Sequence, residues 1–245
     1  MLTHKYVDDI TSSEMLTKGQ VSRMQSAVDE LITWSKANMM NMNTRKTKEM
    51  VIGPLTRNPP TQIVIICDWT VDRLLQFTLL GVTVNEVFKW NDHVASVCSK
   101  TNKRVYFLKQ LKRAGMSTSD LLCFYKAVVR PVAEYACHVR HFSPISLVDQ
   151  SNRIESIQRR VMKIIFTDCA LWCDCTDACQ LANVPSPVDR REQLTRRFFS
   201  RIYDANNCLN YLLPEQRDSR ITAKMYTPYR LPKQLVLKTR LFFML

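Results

Sequence analysis

Two adjacent carboxylates, Asp8 and Asp9 in "KYVDDIT" (Lys5–Thr11), are the residues best suited to chemistry in this chain. Mg²⁺ takes oxygen ligands in octahedral geometry, usually one or two carboxylates together with substrate phosphates. A pair of such ions, roughly 4 Å apart, activates an attacking hydroxyl and holds the leaving oxygen in phosphoryl transfer. A tight turn can present both carboxylates at one spot. The plain alternative is a solvated surface turn, since a Tyr-x-Asp-Asp string by itself carries modest information. A second constellation is Cys169, Cys173, Cys175 and Cys179 in "CALWCDCTDAC". Clustered thiolates suit structural zinc. The C-x3-C-x-C-x3-C spacing is not that of a finger or knuckle, however, and reduced, partly buried cysteine is the default reading. "CHVRH" (Cys137–His141) also holds metal-type residues, on a helical stretch. With four His in all and no nucleophile-elbow glycines, a Ser-His-Asp or Cys-His hydrolase has no support.

The elements that must position the carboxylates are short strands. Residues 2–14 read as two strands with the turn at Asp8-Asp9. Val21, Met24, Val28, Leu31 and Ile32 then recur at helical spacing. "EMVIG" (Glu49–Gly53), "QIVIIC" (Gln62–Cys67) and Leu74–Val84 read as strands, the last broken by Gly81. From Trp90 the pattern becomes helical. Val94, Val97, Val105, Leu108 and Leu111 form one face, and Gly115 ends the helix. "STSD" (Ser117–Asp120) is a capping box for the next helix. Pro131 should kink or stop that helix and bias Arg130 away from helical geometry. Further helices are expected over Ser151–Phe166 and about Val188–Tyr203, and the tail beyond Pro214 has no clean period.

Composition narrows the class. Hydrophobic residues make up 46% and charged residues 23% of the 245, as in an ordinary globular protein. Only 4 Gly argues against barrels and sandwiches, which need many tight turns. The apolar runs are too short to span a membrane. The acidic N-terminal stretch is unlike a secretory signal, and 9 Cys form no even framework. The expectation is an intracellular protein of the cytoplasm or nucleus, not secreted, with reduced thiols. Net charge is +13, and Lys100–Ile165 alone holds 13 Lys/Arg against 4 Asp/Glu. That bias points to a polyanion, nucleic acid first, rather than to a merely solvated helix face.

Six segments stand in order along the chain: "YVDD", "NMNTRKTKEMVIG", "FTLLGVTVNEVFKWNDHV", "KRVYFLKQLKRAG", "FYKAVVRPVAEYAC" and "RIESIQRRVMKII". The string resembles the C-terminal portion of the reverse transcriptase of non-LTR (jockey-like, LINE-type) retrotransposons, over nearly the whole chain. The resemblance extends to "LTRRFFSRIYDANNCLNYLLPEQR". It implies an α+β architecture: a partial polymerase palm at 1–88, a helical thumb at 89–170, and a helical C-terminal segment with an irregular tail at 171–245. By the same resemblance Tyr6-Val7-Asp8-Asp9 is the catalytic hairpin. There Asp8 is the main Mg²⁺ ligand, Asp9 a less direct one, and Tyr6 lies by the primer 3′ end. Asn43 and Lys46-Thr47-Lys48 match the segment whose lysine neutralises the leaving pyrophosphate. Lys46 is the choice, although Lys46 and Lys48 read equally well as solvated. Phe77–Val82, with Gly81, matches the primer-gripping hairpin. It has Thr78 and Leu79 where the family has Lys-Tyr, which weakens the phosphate-gripping argument. The thumb match agrees with the local charge excess. Lys100, Lys103, Arg104, Lys109, Lys112 and Arg113 would contact the backbone of a template–primer duplex of RNA and DNA. Trp90 and Tyr106 have rings able to stack on bases, with core or cap positions the preferred reading.

A polymerase of this class also needs a third aspartate and the fingers, which the family places upstream of the hairpin. This chain begins five residues before Tyr6. The expectation is therefore a truncated polymerase, inactive alone. The alternatives are a non-catalytic basic helical module that binds nucleic acid and a relic without function.

Overall fold

The computed structural model describes residues 2–16, 20–52, 62–140, 147–166, 178–180, 182–213 and 239–244. The chain forms two compact units, residues 1–89 with 232–245, and residues 90–231. The final residues thus belong with the first unit, where the sequence reading set them in a C-terminal segment of their own.

The first unit is built on a five-stranded sheet whose strands, in spatial order, are β1 (Leu2–Tyr6), β2 (Asp9–Met15), β9 (Thr239–Met244), β3 (Lys48–Ile52) and β6 (Asp72–Arg73). Strands β1 (Leu2–Tyr6) and β2 (Asp9–Met15) form an antiparallel hairpin in which Tyr6 faces Asp9. Helix α1 (Met24–Ala37) then carries the chain across to β3 (Lys48–Ile52). β2 and β3 run parallel, one strand position apart. That position is filled by β9 (Thr239–Met244), which is antiparallel to both. α1 lays an apolar stripe on the segment Val64–Val71 and on Ile10 of β2. Met24 and Val28 are fully buried against Val64, Ile66 and Val71, with Ile10, Leu31, Ile32 and Met42 around them. Each fully buried side chain of this kind contributes about 1.5–3 kcal/mol. No side chain of Arg23 caps the N-terminus of α1. The buried Glu14 of β2 does so from a distance, accepting 2.7 Å hydrogen bonds from the Ser22 hydroxyl and the Arg23 N–H. A carboxylate at a helix N-terminus also meets the positive end of the dipole.

The expected strand over Gln62–Cys67 shrinks to β4 (Ile65–Ile66), paired with β5 (Trp69–Thr70). β6 (Asp72–Arg73) adds briefly alongside β3. β7 (Gln76–Leu79) and β8 (Val82–Asn85) make a separate hairpin, with Phe77, Leu79 and Val84 packed on Met50 and Ile52 of β3.

The second unit is helical: α2 (Asn91–Arg113), α3 (Thr118–Phe124), α4 (Arg130–Glu134), α5 (Cys137–Arg140), α6 (Leu147–Ile165) and α7 (Pro187–Ile202). α2 buries Val94, Val97, Thr101, Val105 and Leu108. α6 contributes Ile154, Ile157, Val161, Met162 and Ile165 to the core of the same unit. Ser117 caps α3 by accepting from the Asp120 N–H, and Ser186 caps α7 in the same way through Asp189.

One expectation fails in part here: of a kink or a stop at Pro131 with Arg130 biased away from helical geometry, the stop and the bias are not seen. Pro131 neither stops the helix nor pulls Arg130 out of helical geometry, since Arg130 sits at φ −61, ψ −42. The chain instead widens into a π-turn at Tyr125–Val129 and then resumes as α4 with Pro131 in its first turn. The wider turn shifts the hydrogen-bond register just where proline lacks its N–H. The helix ends at Glu134, where Tyr135 turns extended. Among the described residues no helix is long and apolar enough to cross a membrane.

Candidate functional site

The carboxylate pair lies on a two-residue turn, Val7-Asp8, closed by the Tyr6–Asp9 pair of the β1–β2 ladder. Val7 adopts φ 53. A β-branched residue pays steric strain in the left-handed region, where its Cβ crowds the following carbonyl oxygen. Tyr6 is 63% and Val7 71% exposed. Asp8 is exposed and Asp9 half-buried. β1 is tied down locally by the ammonium of Lys5, which sits 5.2 Å from the ring centre of Trp34 on α1.

As a donor set, two adjacent carboxylates suit Mg²⁺ in kind: hard oxygens able to hold an ion that keeps water or phosphate as its other ligands. They do not make a complete cage. Among the described residues no group of three or more His, Cys, Asp or Glu is arranged to hold a metal ion.

Lys46 and Lys48 had read alike in the sequence, and the structure separates them. Asn43 organises a turn by accepting from the Lys46 N–H, the Thr47 N–H and the Thr47 hydroxyl. This turn leaves Lys46 exposed. Lys48 is engaged instead, with its ammonium 2.6 Å from the Asp72 carboxylate. Gly81 sits in the two-residue turn of the β7–β8 hairpin at φ 77, beside Leu80 at φ 46. Two successive positive φ angles match the right-handed twist of the flanking strands, which accounts for Gly81 in purely structural terms. Across that hairpin Thr78 and Thr83 share a 3.2 Å hydroxyl hydrogen bond.

In the second unit, Lys100, Lys103, Arg104, Lys109 and Arg113 are all exposed along α2. Lys112 differs: it is half-buried and donates to the Ile165 carbonyl at 3.4 Å, so it caps the C-terminus of α6. Trp90 is 6% exposed, at the N-cap of α2 and edge-on to His93. Tyr106 departs from the core-or-cap expectation, being 60% exposed.

Cys169, Cys173 and Cys175 lie outside the described residues. Cys179 is half-buried and accepts a 3.6 Å contact from the Gln158 amide. In "CHVRH", Cys137 is buried and His138 stacks on Phe198 of α7, ring centres 4.5 Å apart. Burial lowers the pKa of His138, favouring the neutral ring. That is a packing role for these two residues, while His141 lies outside the described residues.

Among the buried polar positions that sequence reasoning missed, Glu14 and Gln158 each organise their neighbours. Glu14 was hidden because its partners, Ser22 and Arg23, lie beyond the strand that carries it. Gln158 on α6 accepts from the Tyr125 phenol at 2.7 Å and donates to the Pro185 carbonyl at 3.1 Å. Burial holds the Tyr125 phenol well above its ordinary pKa, so it stays a donor. The one sequence signal was a Gln placed among the inward residues of α6.

Comparison with known proteins gives a relationship over most of the chain. It is 23% identical over 224 residues to the "Probable RNA-directed DNA polymerase from transposon BS" of Drosophila melanogaster. The match covers 89% of this chain and 24% of that protein, so the chain spans about a quarter of its relative's length. This distant similarity supports a reverse-transcriptase-like relationship. Residues 90–130, from the N-cap of α2 to the start of α4, match the family model described as "Alkylated DNA repair protein alkB homolog 8, N-terminal". No solved structure matches the chain.

Proposed function

We propose that this chain supplies part of a retrotransposon RNA-directed DNA polymerase of the non-LTR, jockey-like kind: the metal-binding hairpin and the helical unit that holds the template–primer duplex. The observation that carries the reading is the similarity over 89% of the chain to a transposon RNA-directed DNA polymerase; the β1–β2 turn places Asp8 on the surface with Asp9 beside it. In this reading residues 1–88 are the palm portion and residues 89–170 the thumb. Asp8 and Asp9 hold Mg²⁺, which when bound stabilises the charge that builds up on the transferring phosphoryl group. Lys46, exposed and without a carboxylate partner among the described residues, offers its ammonium to the leaving pyrophosphate. Tyr6 and the hairpin around Gly81 lie against the primer. Those of the exposed cations Lys100, Lys103, Arg104, Lys109 and Arg113 that face the duplex neutralise phosphates of the RNA template and DNA primer, which gives affinity without sequence choice.

Two carboxylates alone hold Mg²⁺ weakly, so the expected behaviour of the isolated chain is binding without extension. Primer extension with Mg²⁺, combined with Mn²⁺ titration by electron paramagnetic resonance, tests this. The expected result is weak Mn²⁺ binding lost in Asp8→Asn, with duplex binding retained. Mn²⁺ binding unaffected by Asp8→Asn and Asp9→Asn would overturn the assignment of the turn.

A second reading, a nucleic-acid-binding module without chemistry, is favoured by the independent core of residues 90–231 and its exposed cationic helix. Duplex binding that falls steeply with salt, with no metal dependence of any kind, selects it.

A further inference from the structure

We propose that Tyr106 and Phe107 form a stacking platform for an unpaired base of a nucleic-acid strand lying along α2. The proposal rests on the nucleic-acid reading above and adds to it what the helix takes: an open strand, not only a duplex. The inward face of α2 is fixed by Val97, Thr101, Val105 and Leu108, all buried. Positions 106 and 107 fall away from that face, and the two residues are 60% and 52% exposed. The two rings meet edge to face, centres 5.9 Å apart at 71°, which leaves an open ring face for a third flat group. Lys103 lies one turn before both rings and Lys100 one turn before that, while Arg113 lies two turns beyond Tyr106, all exposed. The sole acid in α2 is Asp92, in the first turn.

Exposed aromatics set singly among polar residues need no explanation, but an adjacent pair ringed by cations with no nearby acid in the helix does. The cations select a polyanion, and flat polarisable rings select the face of a base. Strands without sequence preference are bound by this pairing of a positive track with aromatic rings. Bases inside a duplex are already stacked on both faces and cannot use the platform. Phosphate contacts serve duplex and open strand alike.

The test is fluorescence anisotropy of the whole chain with labelled oligo(dT), oligo(rU) and a blunt DNA duplex, at one salt concentration. The variants are Tyr106→Ala with Phe107→Ala, the aromatic-retaining pair Tyr106→Trp with Phe107→Trp, and Lys103→Ala. The alanine pair is expected to weaken binding of the open strands about tenfold, while the tryptophan pair keeps it. The two strand types then tell whether DNA, RNA or both are taken. Duplex binding should be unchanged in both aromatic pairs, and Lys103→Ala should weaken all three probes. Equal loss on strand and duplex, or no loss on either strand, would overturn the platform while leaving nucleic-acid binding intact. Failure of the unaltered chain to bind any probe would sink the nucleic-acid reading itself. A change in self-association of the alanine pair by sedimentation, with strand binding untouched, would assign the rings to a protein contact instead. Unchanged helical circular dichroism in each variant keeps loss of folding out of the comparison.

Discussion

Val7 holds the turn in a conformation that costs an L-residue about 1–2 kcal/mol. Glycine has no such penalty, although it gives up more chain entropy on folding. Val7→Gly should therefore raise the urea midpoint of the first unit, by up to about 1 kcal/mol in stability. If the strain serves to fix Asp8 and Asp9, the same variant should bind Mn²⁺ more weakly, because glycine lets the turn relax. A gain in stability with metal binding unaltered would make the strain incidental. The carboxylate pair was legible in the sequence because its members are neighbours there. What the sequence could not supply was the difference between Lys46 and Lys48. It depends on Asp72, which β6 brings beside β3 and which no local pattern announces. The Lys48–Asp72 pair is mostly exposed on its acidic side, at 63%, and such pairs contribute about 0–1 kcal/mol. Lys48→Ala is thus expected to shift thermal stability only slightly.

At the level of elements, periodicity located α2, α6 and α7 because each has a buried stripe opposite a charged one. It failed where an element depends on something remote. The π-turn before Pro131 is a local adjustment, made worthwhile by seating Leu121, Tyr125 and Val129 in the core together. β9 fills the space between β2 and β3; its apolar run Leu241–Met244 suits a buried strand, but no local pattern says where in a sheet it inserts. Removing residues 239–245 would bare the inner edges of β2 and β3, and open edges pair with other chains. Size-exclusion chromatography of that deletion is expected to show self-association or loss of the folded first unit, and a well-behaved monomer would contradict the pairing. In the helical unit, Tyr125→Phe leaves the Gln158 carbonyl oxygen without its donor. The expected cost is about 1–3 kcal/mol, read from the thermal midpoint. His138 gives a pH signature. Its folded pKa lies below the ordinary value because burial disfavours the charged ring, so the unfolded chain takes the proton first as pH falls. Stability should be level above about pH 7 and decline as pH drops below about 6.5, the ordinary histidine pKa. His138→Gln should flatten part of that decline.

For the whole molecule the governing quantity is charge, +13 in 245 residues, and its placement decides what salt will do. Counterion release predicts that log affinity for duplex DNA falls with log salt by about 0.9 for each phosphate neutralised. Lys100, Lys103, Arg104, Lys109 and Arg113 cannot all meet one duplex, because they spread around the exposed part of α2 rather than along a single line. If three or four of them engage, the slope is roughly −3 to −4, and each lysine-to-alanine change within the engaged set makes it shallower by about 0.9. Lys112 is the internal control. Its ammonium caps α6 at the Ile165 carbonyl. Lys112→Ala should therefore lower the thermal midpoint and leave the salt slope nearly unchanged, while Lys103→Ala should do the reverse. Measuring both quantities for both variants separates a lysine that builds the helical unit from one that meets phosphate. A slope near zero in the unaltered chain would mean that the excess charge serves solubility and not a polyanionic partner.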